Sequence, residues 1–130
     1  MDDIDERAQK VRRSVLGTGH AQRTAQNRTK FNEDFFKIIA RLAWGEVWSR
    51  PGLDIKTRSM LTIAMLVAMG KTEELRLHIR ATRNTGVTQE EVSEILIHAM
   101  VYAGVPAAFG AFQVAGEVYA EMEGEENKPS

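Results

Sequence analysis

The chain has no cysteine in its 130 residues, and its formal net charge is only −1. Without cysteine, disulfide bonds, thiol redox chemistry and thiolate metal sites are excluded. The balanced charge gives no overall field that would attract nucleic acid or a membrane surface, so neither is expected as a partner. No apolar run follows a basic segment near the start, so we expect no signal peptide. We therefore expect a cytoplasmic protein.

Several catalytic and binding motifs are also missing from the sequence. His20, His78 and His98 stand far apart, and no pair of histidines has the spacing of a zinc motif. There is no glycine-rich phosphate loop and no nucleophile elbow. We therefore expect no metal site, and what remains is acid–base and electrostatic chemistry by histidine, glutamate and arginine.

The most informative stretch runs from residue 54 to residue 86 and predicts two helices. Asp54 is a good N-cap for the first, and Gly70 is a typical stop. Residues 60–69 are almost all apolar, which predicts a helix buried on all sides, yet one too short to span a bilayer. Thr72 is expected to cap the second helix, and Gly86 is expected to end it.

The segments before this stretch are harder to interpret. Residues 2–16 predict an amphipathic helix that packs as an arm, and residues 17–30 are polar and predict a loop. A helix is expected from Asn32 to about residue 41 or 43, where Gly45 breaks it. Its predicted inward-facing residues are Phe35, Phe36, Ile39 and Leu42.

Two further helices follow the central stretch. Thr88 and Glu91 fit a capping box at the start of one. Pro106 suits the first turn of the last, which is rich in small residues and is expected over about 106–122. The charged residues 123–130 predict a disordered tail. With no convincing strand pattern, the prediction is an all-α single domain over residues 1–130 with five or six helices.

Several polar side chains stand out within this pattern. Arg58 lies one turn into the apolar helix, where it either binds an anion or points to solvent. The connector after the helix that is predicted from Asn32 holds Trp44, Glu46, Trp48 and Arg50. These residues either form part of a site, or the indoles fill the core while the charges are solvated. His98 and Tyr102 share one helix face, at a position where histidine is more often a core or interface residue.

These residues lie in segments that resemble a known family. The stretches GEVWSRPGL, KTRSMLTIAML, ELRLHIRATRNTG and EILIHAMVYAGVPAA are similar to the carboxymuconolactone decarboxylase family. The similarity runs from about Asn32 to Glu121. It implies a compact alkylhydroperoxidase-like (AhpD-like) helical fold and an oligomer built of trimers, as a trimer or hexamer. It also implies cofactor-free loss of CO2 from a lactone that carries two carboxylates, in the degradation of aromatic compounds.

The wider superfamily includes a redox branch with a C-x-x-C-x-x-x-H motif. Placing its histidine on His78 puts the two cysteine positions at Lys71 and Glu74, and the glutamate of that branch falls on Ser59. Three of the four redox groups are therefore replaced. This departure favours the decarboxylase branch and a role for His78 that needs no sulfur.

The resemblance also suggests roles for individual residues. His78 would donate a proton, Glu46 would orient it or share its proton, and Arg58 would hold a carboxylate or the developing oxyanion. The substrate-binding residues would be Arg50, Trp48, His98 and Tyr102. Two alternatives remain open: a non-enzymatic oligomeric module that binds an aromatic acid or a partner protein, and a decarboxylase of the same fold that acts on another acidic lactone.

Overall fold

The computed structural model describes residues 3–127, apart from the side chain of Ala21. Every regular element in this part of the chain is helical, so the all-α prediction is confirmed. The expected count of five or six helices is wrong, because the described residues form seven α-helices and one π-helical segment. The elements are α1 (Ile4–Leu16), α2 (Thr18–Gln26), α3 (Glu33–Ile39), a π-helical segment (Ala40–Trp48), α4 (Ile55–Met69), α5 (Thr72–Thr85), α6 (Gln89–Ala103) and α7 (Val105–Glu126). The chain divides into two compact units, and the boundary falls between Arg58 and Ser59.

In the first unit, the loop predicted for residues 17–30 is wrong over most of its length. Gly17 ends α1, with its N–H donating to the carbonyl of Arg13, and its φ of 89° turns the chain directly into α2. Alanine, glutamine and arginine then favour a helix more strongly than the polar character of the segment suggests. The unit therefore begins with two helices that pack together.

The prediction that Gly45 breaks a helix is also wrong. Gly45 lies inside the π-helical segment, which packs against α1. A Cβ atom at this position would lie 2.7 Å from Cγ1 of Ile4, so glycine is required by the close approach of α1. The Gly45 carbonyl accepts a hydrogen bond from Nε of Arg7 at 3.1 Å and another from the Ser49 hydroxyl.

The apolar face expected on α3 is only partly covered within the chain. Phe36 and Ile39 are half-buried, but Phe35 and Leu42 are each 61% exposed, so the prediction that all four face inward is wrong for this pair. Helix α3 itself has no buried residue. The periodic pattern identified an apolar face correctly, but the described part of the chain supplies no layer that covers it.

In the second unit, most helix ends lie where the sequence placed them, although Lys71 and not Thr72 occupies the cap position of α5. Gly70 and Gly86 have φ values of 69° and 86°, and they follow α4 and α5. The predicted capping box of α6 is present, because Thr88 accepts from the Glu91 N–H at 3.1 Å and the Glu91 carboxylate accepts from the Thr88 N–H at 3.0 Å. Pro106 lies in the first turn of α7.

These four helices share one hydrophobic core. Its buried side chains are Ile63, Leu66, Val67, Leu75, Ile79, Val87, Val92, Leu96, Ala99, Ala111, Val114, Ala115 and Val118. The apolar run in α4 is not buried on all sides, however, since Leu61, Met65 and Met69 form an exposed stripe with a spacing of four residues. Only one side of this helix faces the core of the chain.

The disordered tail predicted from residue 123 is wrong up to Glu126, because α7 continues through that residue. Residues 128–130 lie outside the described part of the chain. Arginines on α5 hold the end of α7: Arg80 contacts Glu121 at 2.7 Å and Glu125 at 2.8 Å, and Arg76 pairs with Glu117. Acidic residues that favoured disorder in the sequence are therefore ion-pair partners in the fold.

Between residues 3 and 127, no helix is long and apolar enough to cross a membrane.

Candidate active site

The first group of candidate side chains belongs to the π-helical segment of the first unit. The rings of Trp44 and Trp48 stack with centroids 5.0 Å apart and an angle of 29° between their planes. Trp44 is buried, Trp48 is half-buried and Glu46 is exposed. One indole therefore fills the interior, as the structural alternative expected, while the other and the carboxylate remain accessible to a ligand.

Two arginines of the same unit lie close together through the turn that leads into α4. Nη2 of Arg58 donates to the backbone carbonyl of Arg50 at 3.2 Å. Nε of Arg58 is buried, whereas the side chain of Arg50 is exposed. Asp54 caps α4 between them by accepting from the Thr57 N–H at 2.8 Å, and hydrogen bonds from Thr57 lower the pKa of this carboxyl. The turn thus fixes the position of Arg58 in the first turn of α4. The residue is half-buried, and its role as an anion-binding side chain stays a prediction.

In the second unit, His78 lies halfway along α5. The side chain is half-buried and its Nδ1 atom is buried. The helix buries Leu75 and Ile79 on either side of it in sequence, so the imidazole stands at the edge of the core face. Burial of Nδ1 restricts solvent access to that side of the ring.

Ser59, the position at which the redox branch carries a glutamate, is fully buried. The hydroxyl of Thr85 donates to Oγ of Ser59 at 2.9 Å. Two neutral hydroxyls satisfy each other in the core here, in agreement with the loss of the redox groups inferred from the sequence.

His98 and Tyr102 lie one turn apart on α6, and their ring centroids are 5.5 Å apart. Both side chains are exposed, and Tyr102 is 82% exposed. The expected shared face is therefore present, but within one chain it is a surface and not the wall of an enclosed pocket.

The structure thus brings the candidates together in pairs within each unit: Arg50 with Arg58, and His98 with Tyr102. Sequence reasoning missed Arg7 and Ser49, which hold the Gly45 carbonyl and so shape the segment that carries Glu46 and Trp48. No local signal marks Arg7, since its partner lies 38 residues away. Ser49, four residues after Gly45, was detectable as a hydroxyl that can donate to the preceding turn.

A cavity of about 360 Å³ in the second unit lies between the end of α4, the start of α5 and α7, where its lining includes Gly70, Lys71, Pro106 and Gln113. None of the seven candidate side chains lines it.

Across the described residues, no three histidine or acidic side chains cluster as metal ligands do. The chemistry that these side chains offer is therefore cation-assisted binding of acids and proton transfer by histidine.

Comparison with known proteins agrees with this chemistry. Residues 33–117 match the carboxymuconolactone decarboxylase family model. The chain is 50% identical over 112 residues to a 4-carboxymuconolactone decarboxylase of Acinetobacter baylyi, covering 86% of this chain and 84% of that protein. It is 39% identical over 122 residues to a nitrosuccinic acid decarboxylase of Metarhizium robertsii, which covers 92% of this chain and 85% of that protein.

A third relative has no assigned activity. It is an uncharacterised 15.0 kDa protein of Paracoccus denitrificans, 36% identical over 84 residues, which are 63% of each chain. The family match covers most of the chain and includes all seven candidate positions. The chain belongs to the carboxymuconolactone decarboxylase family.

Proposed function

We propose that this protein is a 4-carboxymuconolactone decarboxylase. It removes CO2 from a lactone that is carboxylated at its γ-carbon and releases the β-ketoadipate enol-lactone, in the degradation of protocatechuate. The observation that carries this conclusion is the 50% identity to an enzyme of that name over 86% of the chain. The match to the family model supports it independently.

The reaction needs no cofactor, because the substrate holds its own electron sink. The bond between the γ-carbon and the carboxylate breaks, and CO2 leaves. The electron pair delocalises through the ring double bond onto the lactone carbonyl oxygen. A proton then adds to the α-carbon and discharges the oxyanion, which leaves a product that keeps one carboxylate. The protein has three tasks: to hold two carboxylates, to stabilise the developing oxyanion and to deliver one proton.

Arg50 and Arg58 are the residues that we assign to the anionic groups. A guanidinium offers a planar pair of donors that matches a carboxylate. The bond from Arg58 to the Arg50 carbonyl links the two positions, and the short turn between them restricts their separation. Trp48 is assigned to the apolar wall around the leaving carboxylate, where a dry surface disfavours the charged carboxylate relative to CO2.

His78 is the residue that we assign to the proton. Imidazole exchanges a proton near neutrality. The Nδ1 atom of His78 is buried, so solvent access to that side of the ring is restricted. Glu46 is assigned to orient His78 or to share its proton, and its exposed carboxylate is available for that task. His98 and Tyr102 are assigned to the substrate, on a face that a second copy of the chain would enclose.

The direct test is to mix the purified protein with freshly prepared 4-carboxymuconolactone in the presence of a chelator. CO2 release and enol-lactone formation are followed together. We expect turnover that the chelator does not change. A folded protein without turnover would contradict the proposal and would favour the non-enzymatic binding module or another acidic lactone as substrate.

The residue roles are tested by substitution in the same assay. His78→Gln is expected to lower kcat by about 10²- to 10⁴-fold, as is typical when a general acid is lost. Arg58→Gln is expected to lower kcat/KM by about tenfold or more, because a hydrogen bond to a charged group is lost. Arg83→Gln is the matched control, since this exposed arginine lies on α5 outside the proposed site. Equal activity of His78→Gln and the control would remove His78 from the mechanism.

The second relative suggests a competing substrate. A nitro group beside a carboxylate can accept the electron pair left by CO2, just as an unsaturated lactone can. Nitrosuccinic acid is therefore a candidate through the 39% identity to a decarboxylase named for it. Comparing kcat/KM for the two acids decides between them, and we expect the lactone to be preferred.

We also propose an AhpD-like oligomer, a trimer or a hexamer. Large apolar side chains are exposed on α4 as Leu61, Met65 and Met69, and on α7 as Val105 and Phe109. Soluble monomers rarely expose extensive apolar patches, so a second copy of the chain is the natural cover. Light scattering should show a trimer or hexamer that Phe109→Asp dissociates. Gln89→Asp, in the exposed first turn of α6, should leave the assembly intact.

The single-domain prediction belongs to the same proposal. The family match over residues 33–117 crosses the boundary between the two compact units, which supports one functional domain over residues 1–130. A cytoplasmic location stays a prediction that cell fractionation would test.

A further inference from the structure

A second concentration of positive charge lies in the first unit, away in sequence from every residue assigned above. Helices α1 and α2 pack together and enclose a cleft of about 260 Å³. Every ionisable side chain that lines it is an arginine: Arg12 and Arg13 from the last turns of α1, and Arg28 from just beyond α2. Gln9, Gln22 and Thr18 add neutral polar groups.

The electrostatic state of this cleft is unfavourable without a ligand. Arg12 is half-buried, and its pKa is lowered first by burial and then by the positive charges of Arg28 and Arg13. The field extends to His20, whose pKa is lowered by burial and by Arg12 and Arg23. Arg12 is partly desolvated and is repelled by the other two arginines, and an anion placed among them would offset both costs.

Other features of the cleft favour a ligand over a purely structural role. Arg13 suits the C-terminal end of α1, where a cation interacts well with the helix dipole. That explanation does not extend to Arg28, which lies beyond the end of α2. Its guanidinium stands 5.7 Å from the centroid of the Phe36 ring, so an aromatic face positions this charge. Thr18 places the first turn of α2, with its unpaired N–H groups, at the same cleft.

From this arrangement we propose that the cleft between α1 and α2 binds a small oxygen-rich dianion, either a phosphate or a short dicarboxylate. Guanidinium groups bind both kinds of oxyanion through paired hydrogen bonds. The volume is below the range of about 300–1,000 Å³ that drug-sized ligands occupy, which restricts the ligand to a small metabolite or ion. None of the proposed decarboxylase residues lines this cleft, and the proposal does not depend on their roles.

The test uses the full-length protein in a low-salt buffer that contains neither phosphate nor carboxylate. Inorganic phosphate and succinate are titrated separately by calorimetry, and NMR shifts locate the binding. We expect saturable binding of at least one, with shifts at Arg12 and Arg28, and weaker binding as salt is added. Preference for phosphate or for succinate identifies the class of the natural ligand. Absence of saturable binding by both would overturn the proposal.

Variants separate this site from the decarboxylase site, which also binds acids. Arg12→Gln combined with Arg28→Gln should weaken binding by about tenfold or more, because two charge-assisted hydrogen bonds are lost. Arg83→Gln should leave binding unchanged. Unchanged binding in the double variant would place the anion elsewhere and overturn the proposal.

The stability of the same double variant gives a second readout. If the arginines await an anion, removing two of them relieves repulsion, and the Tm without ligand should stay the same or rise. The anion should also raise the Tm of the wild-type protein but not that of the double variant. A lower Tm for the double variant without ligand would assign these arginines a structural role and overturn the proposal.

Discussion

The two units of this chain bury their apolar side chains to very different degrees. In the second unit, four helices contribute to one core, and side chains such as Ile63, Ile79 and Leu96 are completely buried. In the first unit, α3 has no buried residue, and Phe35, Ile38 and Leu42 are largely exposed. The second unit has a large shared core, whereas the first has a smaller buried set made up of Ala8, Val15, Leu16 and Trp44. Both units leave large apolar side chains exposed.

The largest effect on stability should come from paired truncations of isoleucine, one in each unit. Ile79→Ala leaves a cavity at a fully buried position and should cost about 2–5 kcal/mol of unfolding free energy. Ile38→Ala, at a side chain that is 64% exposed, should cost less than about 0.5 kcal/mol. Chemical denaturation measures both variants. Equal losses would break the contrast between the units, and an oligomer-dependent loss for Ile38→Ala would place this residue in a subunit interface.

An intermediate effect is expected in the first unit from Gly45→Ala. The added methyl group would lie 2.7 Å from Cγ1 of Ile4, so the Ile4 side chain or α1 itself must shift, at a cost of about 1–3 kcal/mol. Gly110→Ala is the control, because a Cβ atom there meets nothing within 4 Å. Thermal unfolding and the turnover assay are measured together. Because Gly45 precedes Glu46, we expect activity to fall with stability, and full activity would indicate that the π-helical segment does not position the site.

The smallest effect should appear at the end of α7. The pKa of Glu125 is lowered chiefly by its hydrogen bond from Arg80, so the folded form favours the ionised carboxylate. The contact therefore stabilises the helix end above the ordinary carboxyl pKa of 4.5, and this stabilisation is lost as the pH falls through and below that value. Amide hydrogen exchange should show faster exchange over residues 121–126 at low pH. Arg80→Gln should produce the same change at neutral pH, while Lys37→Gln should not.

Local signals predicted the second unit well. The stops at Gly70 and Gly86 and the capping box of Thr88 and Glu91 are encoded within a few residues, and all three are present. The first unit was predicted less well. Whether residues 18–26 form a helix depended on a turn at Gly17, and whether Gly45 ends a helix depended on the approach of Ile4, 41 residues earlier in the chain.

The candidate site follows the same division. The sequence identified the chemical types, and the resemblance assigned them, but neither could indicate that Arg58 donates to the backbone of Arg50 or that Tyr102 is exposed. The arginine cleft between α1 and α2 was missed because the segment was interpreted as a loop. Four arginines between residues 12 and 28 were the available signal. Their spacing in the sequence does not indicate a shared cleft, because the cleft forms only when α1 and α2 pack against each other.

The sequence by itself determined the helical class, the family and most helix ends of the second unit, because propensity, capping and apolar periodicity act over neighbouring residues. Only the tertiary structure decided which apolar faces are covered, which carboxylates become ion-pair partners and where positive charge accumulates. These outcomes depend on side chains that are distant in sequence. Glu125, which favours disorder when considered alone, is held in a helix by Arg80, 45 residues before it.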